Sequence, residues 1–336
     1  MFEIKLAKEM GMCFGVRDTL KMIDEAARTR SHIDTLGTLV HNPQLVEKLK
    51  AQGIEVVHEL DSADAPTVAV TAHGAAPEVY RRAKEAGLEL IDTTCPLVTR
   101  VQQLAKSLME QGYWVIVYGD APHPEVKGIL GWANSVLDDP QADPTDPAVA
   151  ESGRKAGAKR LTTRRAICAK SVAEIDAHLQ AAGTPAARIT KIALVSQTTQ
   201  NTEWFKQFVH EVVDRFLEYG CEVRACSTVC LPTARRQPAA MELAKEVDVM
   251  VVVGGYESAN TRHLKEIASE FCPAYHIERA EQLEEGWFRG VRTVGVTAGA
   301  STPDYVIQEV IEALEDINHR LSGEEANQRA EAQSSQ

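Results

Sequence analysis

Short apolar runs alternate with amphipathic patterns along most of the chain. A run such as 114–118, 192–195 or 247–253 predicts a strand. Each run ends at a turn with polar residues, and apolar residues spaced three or four apart then predict a helix. Strands and helices that alternate at this spacing are typical of right-handed βαβ units and parallel sheets. The pattern therefore predicts an α/β fold.

Nine such units suggest three α/β domains with the carboxyl edges of their sheets facing one another. The predicted domains are 1–95, 96–225 and 226–316, and the last helix is expected to end near Leu314. The segment 138–159 is rich in Asp, Pro, Ala and Gly and has no apolar periodicity, which predicts a solvated insertion in the second domain. Residues 317–336 are expected to form a tail that is disordered at its end.

Composition narrows the function class. The chain has 336 residues, 44% of them apolar, which is enough for several cores. Its net charge of −12 and its 5% aromatic content argue against nucleic-acid binding, which needs a basic surface and stacking rings. No apolar run approaches the roughly 18 to 20 residues of a membrane span, and no leader pattern opens the chain, so we expect a cytoplasmic protein without membrane contact. Its seven cysteines are then expected to be reduced or metal-bound.

Residues that can bind ligands stand in the turns after the predicted strands. In parallel α/β sheets this carboxyl edge is where ligands bind. In chain order, the residues at these turns are Cys13, His41, His73, Cys95, His123 with Glu125, Thr198, Cys230, Ser258 with Asn260, and Ser301.

Three of the cysteines share one position in their units. Cys13, Cys95 and Cys230 each follow a strand and precede a helix, where the helix N-terminus favours the thiolate that binds metals. A lone cysteine at such a place is often simply a small buried residue. Three in equivalent places favour a ligand set. The other cysteines are interpreted as structural, except that Cys226, four residues before Cys230, is an alternative ligand.

Three thiolates without a fourth favour a metal centre with one open position. Structural zinc sites usually have four protein ligands, so an iron–sulfur cluster with three cysteine ligands and one open iron fits better. An open iron can bind a substrate oxygen directly.

The remaining residues at the turns favour a polyanion. Hydroxyl, amide and imidazole donors at helix N-termini are typical of phosphate sites. The chain has neither a Gly-x4-Gly-Lys-Ser/Thr loop nor a Gly-x-Gly-x-x-Gly turn, so nucleotide binding has little support. Glu125 could act as an acid in a closed pocket, or could simply be a solvated carboxylate in the first turn of a helix. A zinc hydrolase built on the three histidines and Glu125 is a weaker alternative.

Eight ordered motifs resemble one known family, the LytB-type 4-hydroxy-3-methylbut-2-enyl diphosphate reductases. The resemblance runs from about Ile4 to Leu314. The motifs are Gly11-Met12-Cys13-Phe14-Gly15-Val16, Val40-His41-Asn42, Ala72-His73-Gly74, Asp92-Thr93-Thr94-Cys95-Pro96-Leu97-Val98-Thr99, His123-Pro124-Glu125-Val126-Lys127-Gly128, Gln197-Thr198-Thr199, Cys230 with Arg236-Gln237, and Gly295-Val296-Thr297-Ala298-Gly299-Ala300-Ser301.

The resemblance implies a trefoil of three α/β domains around a central [4Fe–4S] cluster. It implies that (E)-4-hydroxy-3-methylbut-2-enyl diphosphate loses its C4 hydroxyl by two-electron reduction, giving isopentenyl and dimethylallyl diphosphates. The open iron would bind the hydroxyl oxygen, and a ferredoxin or flavodoxin type carrier would supply electrons singly. Glu125 with Thr198 would deliver a proton. Cys13, Cys95 and Cys230 would ligate the cluster, and the substrate would be held by His41, His73, His123, Thr198, Ser258, Asn260 and Ser301.

The chain departs from the family pattern in several places. Ala234-Arg235-Arg236-Gln237 replaces a usual Thr-Asn-Arg-Gln, and Asp120 replaces a usual histidine. The usual paired serines appear as Ser258-Ala259, preceded by Glu257. Because a hydroxyl is missing and a negative charge is added, an iron–sulfur dehydratase or reductase acting on another phosphorylated substrate is an alternative. A redox sensor that uses a cluster without catalysis is a further one.

Overall fold

The computed structural model describes residues 1–138 and 164–334. Within these ranges, strands and helices alternate over most of the chain, as the sequence pattern predicts. Twelve strands are present in the described residues where nine units were predicted, and Ile54–Val57 and Ala274–Ile277 are each followed by short 3₁₀ segments instead of an α-helix. The strands are β1 Glu3–Leu6, β2 Ile33–Leu36, β3 Ile54–Val57, β4 Thr67–Val70, β5 Glu89–Asp92, β6 Trp114–Tyr118, β7 Ala166–Cys168, β8 Lys191–Ser196, β9 Glu222–Ala225, β10 Val249–Val253, β11 Ala274–Ile277 and β12 Thr293–Ala298. The α-helices are α1 Phe14–Ala27, α2 Pro43–Ala51, α3 Pro77–Glu85, α4 Pro96–Glu110, α5 Pro124–Asn134, α6 Val172–Ala181, α7 Thr202–Leu217, α8 Leu231–Ala244, α9 Ala259–Ser269 and α10 Asp304–Ser334.

The strands form three four-stranded sheets, and the described pairings are parallel. The strand orders are β3-β2-β4-β5, β7-β6-β8-β9 and β1-β12-β10-β11. Register pairs such as Val117 with Val195, in β6 and β8, fix the alignment of neighbouring strands. The predicted α/β class with three parallel sheets is confirmed.

The described chain divides into two compact units. The first consists of Met1–Arg17, Val40–Leu49 and the chain from Leu231 on, and it contains the sheet β1-β12-β10-β11. The second consists of Asp18–Leu39 and Lys50–Cys230, and it contains the other two sheets.

The core of the first unit lies between its sheet and α10. Val251, Val296 and Val310 are fully buried there. Contrary to the sequence expectation, α10 does not end near Leu314, because Ile317 and Leu321 continue the apolar stripe and are also buried in this core. The end of the predicted tail, at 335–336, lies outside the described residues.

The second unit buries both faces of the central strands β6 and β8. Ile116 and Leu194 belong to one apolar cluster, whereas Val117 and Val195 belong to another on the opposite side. This two-sided burial explains why the central strands were visible as continuous apolar runs rather than as alternating patterns.

Local sequence places helix starts at the sheet edges. Pro43, Pro77, Pro96 and Pro124 are each the first residue of a helix, where proline loses no hydrogen bond and its fixed φ suits the helix. Asn201 caps α7 with its side-chain oxygen, which accepts from the N–H groups of Glu203 and Trp204.

Sheet membership differs from the predicted boundaries at two places. β1 was predicted to belong to the domain 1–95, but it pairs with β12, so it joins the sheet of the C-terminal segment. Cys230 was assigned to the domain 226–316, yet the second compact unit ends with this residue. In each sheet, one of these cysteines follows an edge strand: Cys13 follows β1, Cys95 follows β5 and Cys230 follows β9. The predicted insertion, 138–159, lies outside the described residues except for Asp138.

Candidate active site

Cys95 lies at the junction of β5 and α4 in the second unit. Its N–H donates to the carbonyl of Ala72 at 3.0 Å, and its own carbonyl accepts from the N–H of Thr99 at 3.0 Å. The first contact ties the turn to the end of neighbouring β4, and the second starts the helix. The half-buried thiol therefore stands at the positive end of a helix, as the sequence predicted.

Cys230 follows β9 and is bonded to the turn after β8. Its N–H donates to the carbonyl of Thr198 at 2.9 Å. Leu231, the next residue, begins α8. The two neighbouring strand ends thus bring a half-buried thiol and Thr198 together at one sheet edge.

Glu125 and Thr198 form a buried pair in the second unit. Only 1% of Glu125 is exposed. Thr198 donates to it twice, from the backbone N–H to Oε1 at 2.6 Å and from Oγ1 to Oε2 at 3.0 Å. Burial raises the pKa of Glu125 to about 7, and the two hydrogen bonds from Thr198 oppose that rise. The structure thus excludes a solvated first-turn carboxylate for Glu125 and provides an acid that can hold a proton near neutral pH.

One predicted histidine contacts this acid residue, and a second contacts the first. His123 caps α5, and its Nδ1 accepts a hydrogen bond from the N–H of Glu125 at 3.2 Å. Because Nδ1 is an acceptor, a neutral ring carries its proton on Nε2. The ring of His73 meets that of His123 edge to face, with 5.0 Å between centroids. The turns after β4 and β6 therefore place two imidazoles together.

Gln197 supports the Thr198 turn, a role that sequence reasoning missed. It is fully buried, and its Oε1 accepts from the N–H of Asp120 at 2.9 Å and from Nε2 of Gln200 at 3.1 Å. Its Nε2 donates to Oγ1 of Thr199 at 3.0 Å. These bonds fix the turn whose N–H and hydroxyl face Glu125. The sequence signal that could have indicated this role is the position of Gln197 in the same motif as Thr198.

Asp120, one departure from the family pattern, forms an ion pair with Lys170. The pair links the turn after β6 to that after β7 in the same sheet. The negative charge at this position is therefore balanced locally.

Cys13 stands in the segment between β1 and α1 of the first unit, directly before Phe14. Its N–H donates to the carbonyl of Ala300 at 2.9 Å, which ties it to the turn after β12. Gly11, two residues earlier, has φ +78°, a left-handed conformation that favours glycine. The guanidinium of buried Arg236 donates to the carbonyl of Gly11 at 2.5 Å. The sequence motif included Arg236, but no role was assigned to it.

His41 and Ser301 meet in the same unit. The hydroxyl of Ser301 donates to the carbonyl of His41 at 3.1 Å. That carbonyl also lies against Gly255, where a Cβ would stand 2.3 Å from it, so only glycine fits. Burial lowers the pKa of His41 most strongly. The negative charge of Glu257 raises this pKa, and the positive charge of Arg262 lowers it. The net lowering favours the neutral imidazole at pH 7.

Ser258 and Asn260 lie at the start of α9. The Ser258 hydroxyl oxygen accepts from the N–H of Thr261 at 3.3 Å as the helix cap. Asn260 is 3% exposed, and its Oδ1 accepts from Oγ1 of Thr233 at 3.4 Å. Its Nδ2 has no hydrogen-bond partner within residues 1–138 and 164–334. Glu257, in contrast, is exposed. Buried donors therefore stand at this helix N-terminus, while the added carboxylate faces solvent.

The remaining cysteines have different surroundings. Burial raises the thiol pKa of Cys168 to about 11 and also raises those of Cys221 and Cys272. A raised pKa favours the neutral thiol, which is the weaker metal ligand. Cys226 packs against the apolar cluster that contains Val195. No disulfide joins the seven cysteines, all of which lie in the described ranges.

Together these features define an α/β protein whose parallel strands are followed by turns with cysteine, histidine and hydroxyl side chains, and whose second unit contains a buried acid. The chain belongs to the LytB protein family, whose model matches residues 4–315. The resemblance seen in the sequence is thereby confirmed.

Curated relatives match over nearly the whole chain. The 4-hydroxy-3-methylbut-2-enyl diphosphate reductase of Pelobacter propionicus is 40% identical over 316 residues, covering 94% of this chain and 98% of the relative. That of Geobacter sulfurreducens is 38% identical over 325 residues, covering 96% and 100%. That of Dehalococcoides mccartyi is 37% identical over 312 residues, covering 93% and 97%.

Solved structures agree with the fold. A structure of (E)-4-hydroxy-3-methyl-but-2-enyl diphosphate reductase, the terminal enzyme of the non-mevalonate pathway, is 34% identical with a TM-score of 0.61 and covers 94% of this chain and all of that chain. The E-1-hydroxy-2-methyl-but-2-enyl-4-diphosphate reductase from Plasmodium falciparum, at 22% identity, shows the likeness of fold alone. Its TM-score is 0.75, with 92% and 86% coverage. Among the helices of the described ranges, none is both long and apolar enough to cross a membrane.

Proposed function

We propose that this protein removes the C4 hydroxyl of (E)-4-hydroxy-3-methylbut-2-enyl diphosphate reductively, yielding isopentenyl and dimethylallyl diphosphates. Two electrons and two protons are consumed, the C–O bond breaks, one proton leaves with the hydroxyl as water and the other is added to carbon. The observation that carries the proposal is the buried Glu125–Thr198 pair, because a carboxylic acid near pKa 7 suits proton delivery at neutral pH. The family and the reductase relatives support the choice of substrate.

Glu125 delivers the proton that lets the hydroxyl leave as water. The contacts from Thr198 orient its two oxygens, and burial keeps bulk water away from the acid. When the acid has given up its proton, the same two donors of Thr198 stabilise the carboxylate. Their hydrogen bonds become stronger as negative charge develops on the oxygens. Thr198 therefore positions the acid and lowers the free energy of its ionised form.

The diphosphate is held by hydrogen-bond donors of the side chains and of a helix N-terminus. Asn260 supports this assignment best, because its buried Nδ2 has no partner within the described ranges while its Oδ1 is engaged by Thr233. A helix N-terminus at Ser258 adds oriented N–H groups and a positive dipole end. The proposed binding residues are His41, His73, His123, Thr198, Ser258, Asn260 and Ser301.

Cys13, Cys95 and Cys230 are proposed to hold a [4Fe–4S] cluster with one open iron. The chemistry of the donor set fits: each thiol is half-buried and outside any disulfide, and each stands after a strand and before a helix. When bound, such a cluster supplies one-electron transfer and a Lewis acid. A ferredoxin or flavodoxin type protein is proposed as the electron donor, and a cytoplasmic location stays a prediction.

The test is product formation by anaerobically prepared protein. Iron, sulfide and zinc are measured first, and the protein is then mixed with the substrate and a chemical reductant. We expect about four irons per chain and both C5 diphosphates among the products. A cluster-loaded protein that forms neither product would refute the reductase and favour the sensor or an enzyme for another substrate. A colourless protein with stoichiometric zinc would refute the cluster.

A further inference from the structure

We infer that Arg236 is a positioning residue that holds the turn 11–13 in the conformation from which Cys13 binds the cluster. This inference rests on the proposed function, which makes Cys13 a ligand. It concerns a residue of α8 that touches the turn through a main-chain carbonyl.

The contact between Arg236 and the turn is buried and short. Arg236 is 5% exposed, and its Nη2 donates to the carbonyl of Gly11 at 2.5 Å. A guanidinium donor to a carbonyl in a buried setting is stronger than a neutral hydrogen bond, because the charge is only weakly screened there. Gly11 has a left-handed backbone conformation, and a glycine can also adopt many others. The hydrogen bond from Arg236 therefore restrains a backbone that would otherwise be flexible.

A second arginine also donates to carbonyls of this turn. Arg17 donates from Nε to the carbonyl of Met12 at 3.3 Å and from its N–H to the carbonyl of Cys13 at 3.1 Å. The three consecutive carbonyls of the turn therefore each accept a hydrogen bond, the first of them from Arg236. The side chain of Arg17 is 58% exposed and pairs with Asp304 at 3.6 Å, so solvent weakens its contribution. The buried Arg236 is consequently the stronger of the two restraints.

Two N–H groups of the turn bind the C-terminal end of β12 and the residues after it. Those of Gly11 and Cys13 donate to the carbonyls of Ala298 and Ala300, at 3.2 and 2.9 Å. The turn is thus held between the end of β12 and the arginines. Loss of Arg236 frees the Gly11 carbonyl and lets the peptide rotate, which moves the start of the Cys13 segment away from its ligating geometry.

Arg235 is the matched control. It is the neighbouring residue of the same helix, has the same charge, and is exposed. Arg236→Met removes the donor and the charge while keeping an unbranched side chain, and Arg235→Met makes the same chemical change on the solvent side. Arg236→Lys keeps the charge but lacks the planar fork of the guanidinium.

The experiment measures cluster release and backbone exchange. The reconstituted proteins are challenged with an iron chelator, loss of cluster absorbance is followed, and hydrogen exchange of peptide 8–17 is measured with and without the cluster. We expect Arg236→Met to lose the cluster roughly tenfold faster than wild type and to exchange faster in that peptide, with Arg236→Lys in between and Arg235→Met like wild type. Equal release and equal exchange in Arg236→Met and Arg235→Met would overturn the inference.

Three further outcomes are decisive. If Arg236→Met does not fold, Arg236→Lys is compared with Arg235→Lys, and equal release rates for that pair overturn the inference. If wild type binds no cluster, the proposed function fails, and with it the ligating role of the turn, whatever the exchange of peptide 8–17 shows. If wild type binds the cluster and Arg236→Met releases it no faster than wild type does, the inference is refuted while the proposed function stands.

Discussion

Thr198 donates two hydrogen bonds to the carboxyl group of Glu125, from its N–H at 2.6 Å and from its hydroxyl at 3.0 Å. Both bonds stabilise the ionised carboxylate, whereas burial destabilises it, and burial is the larger effect. The balance sets the pKa of the acid to about 7. Thr198 thus controls both the orientation and the acidity of the proposed proton donor.

Replacing Thr198 by valine is expected to raise the pKa of Glu125 further. One of two bonds that lower this pKa is lost, and a hydrogen bond to a charged group corresponds to about one pKa unit. The fall of kcat on the alkaline side should move to higher pH by about that amount, while kcat itself decreases because the acid is less well oriented. The measurement is the pH profile of kcat at equal iron content. Thr198→Ser keeps the hydroxyl and should retain the wild-type profile, and an unshifted profile in Thr198→Val would contradict this role.

Replacing Glu125 by glutamine is expected to stabilise the cluster-free protein at alkaline pH. The folded-state pKa of Glu125 is raised above its unfolded value, so its favourable contribution is fully present below about pH 4.5 and is lost as pH rises through about 7. Above that range, wild type buries a charged carboxylate at a cost of up to about 3 kcal/mol, and the amide does not.

The check on this linkage is the difference in Tm between the two proteins across pH. The Tm of Glu125→Gln should exceed that of wild type above pH 7, and the gap should narrow as pH falls toward 4.5. A gap independent of pH would show that Glu125 does not titrate in this window.

Replacing Asn260 by aspartate is expected to weaken diphosphate binding. The change removes the donor at Nδ2 and adds a buried negative charge near a polyanion, so KM should rise by at least about tenfold. Because the diphosphate is remote from the bond that breaks, kcat should change much less. Gln308→Glu, on an exposed site of α10 in the same unit, adds the same charge and serves as the control. A KM equal to that of this control would remove Asn260 from the binding site.

Replacing Ala259 by serine tests whether this departure from the family pattern weakens binding of the diphosphate. Ala259 is buried as the first residue of α9, between Ser258 and Asn260. A hydroxyl there should add a hydrogen bond to the diphosphate and lower KM by roughly three- to tenfold, with kcat unchanged. The readout is steady-state kinetics with the C4-hydroxylated diphosphate. An unchanged or higher KM would indicate that this position does not face the diphosphate.

The sequence predicted the parts of the fold that depend on local patterns. Central strands such as Ile192–Val195 were readable because two-sided burial makes them continuously apolar, and prolines such as Pro96 fixed helix starts. The sheet partner of β1 was not predictable in this way. Its pairing with β12 joins residues nearly 300 positions apart, and no local property of Glu3–Leu6 specifies a partner. The predicted end of α10 near Leu314 was wrong although a local signal was present, because Ile317 and Leu321 continue the apolar stripe at the usual helical spacing of three and four residues.

For the candidate site too, some features could be predicted from the sequence and others could not. Residue types at strand ends could be identified from their positions, and the resemblance assigned their roles. The pairing of Glu125 with Thr198 also came from the resemblance, and the structure shows the contact itself. Gln197 and Arg236 were missed as supports because each acts on a neighbouring backbone through tertiary contacts that a linear pattern does not contain. The cluster, its ligands and the electron carrier stay predictions.

The rate of product formation by Glu125→Gln, at the same cluster content as wild type, tests the central claim most directly. Glutamine keeps the shape of the side chain but cannot deliver a proton, and general acid catalysis contributes about 10² to 10⁴ in rate. We expect wild type to form isopentenyl and dimethylallyl diphosphates with a chemical reductant, and Glu125→Gln to retain its iron while turning over at least about a hundredfold more slowly. Equal rates in the two proteins at equal iron content would contradict the account.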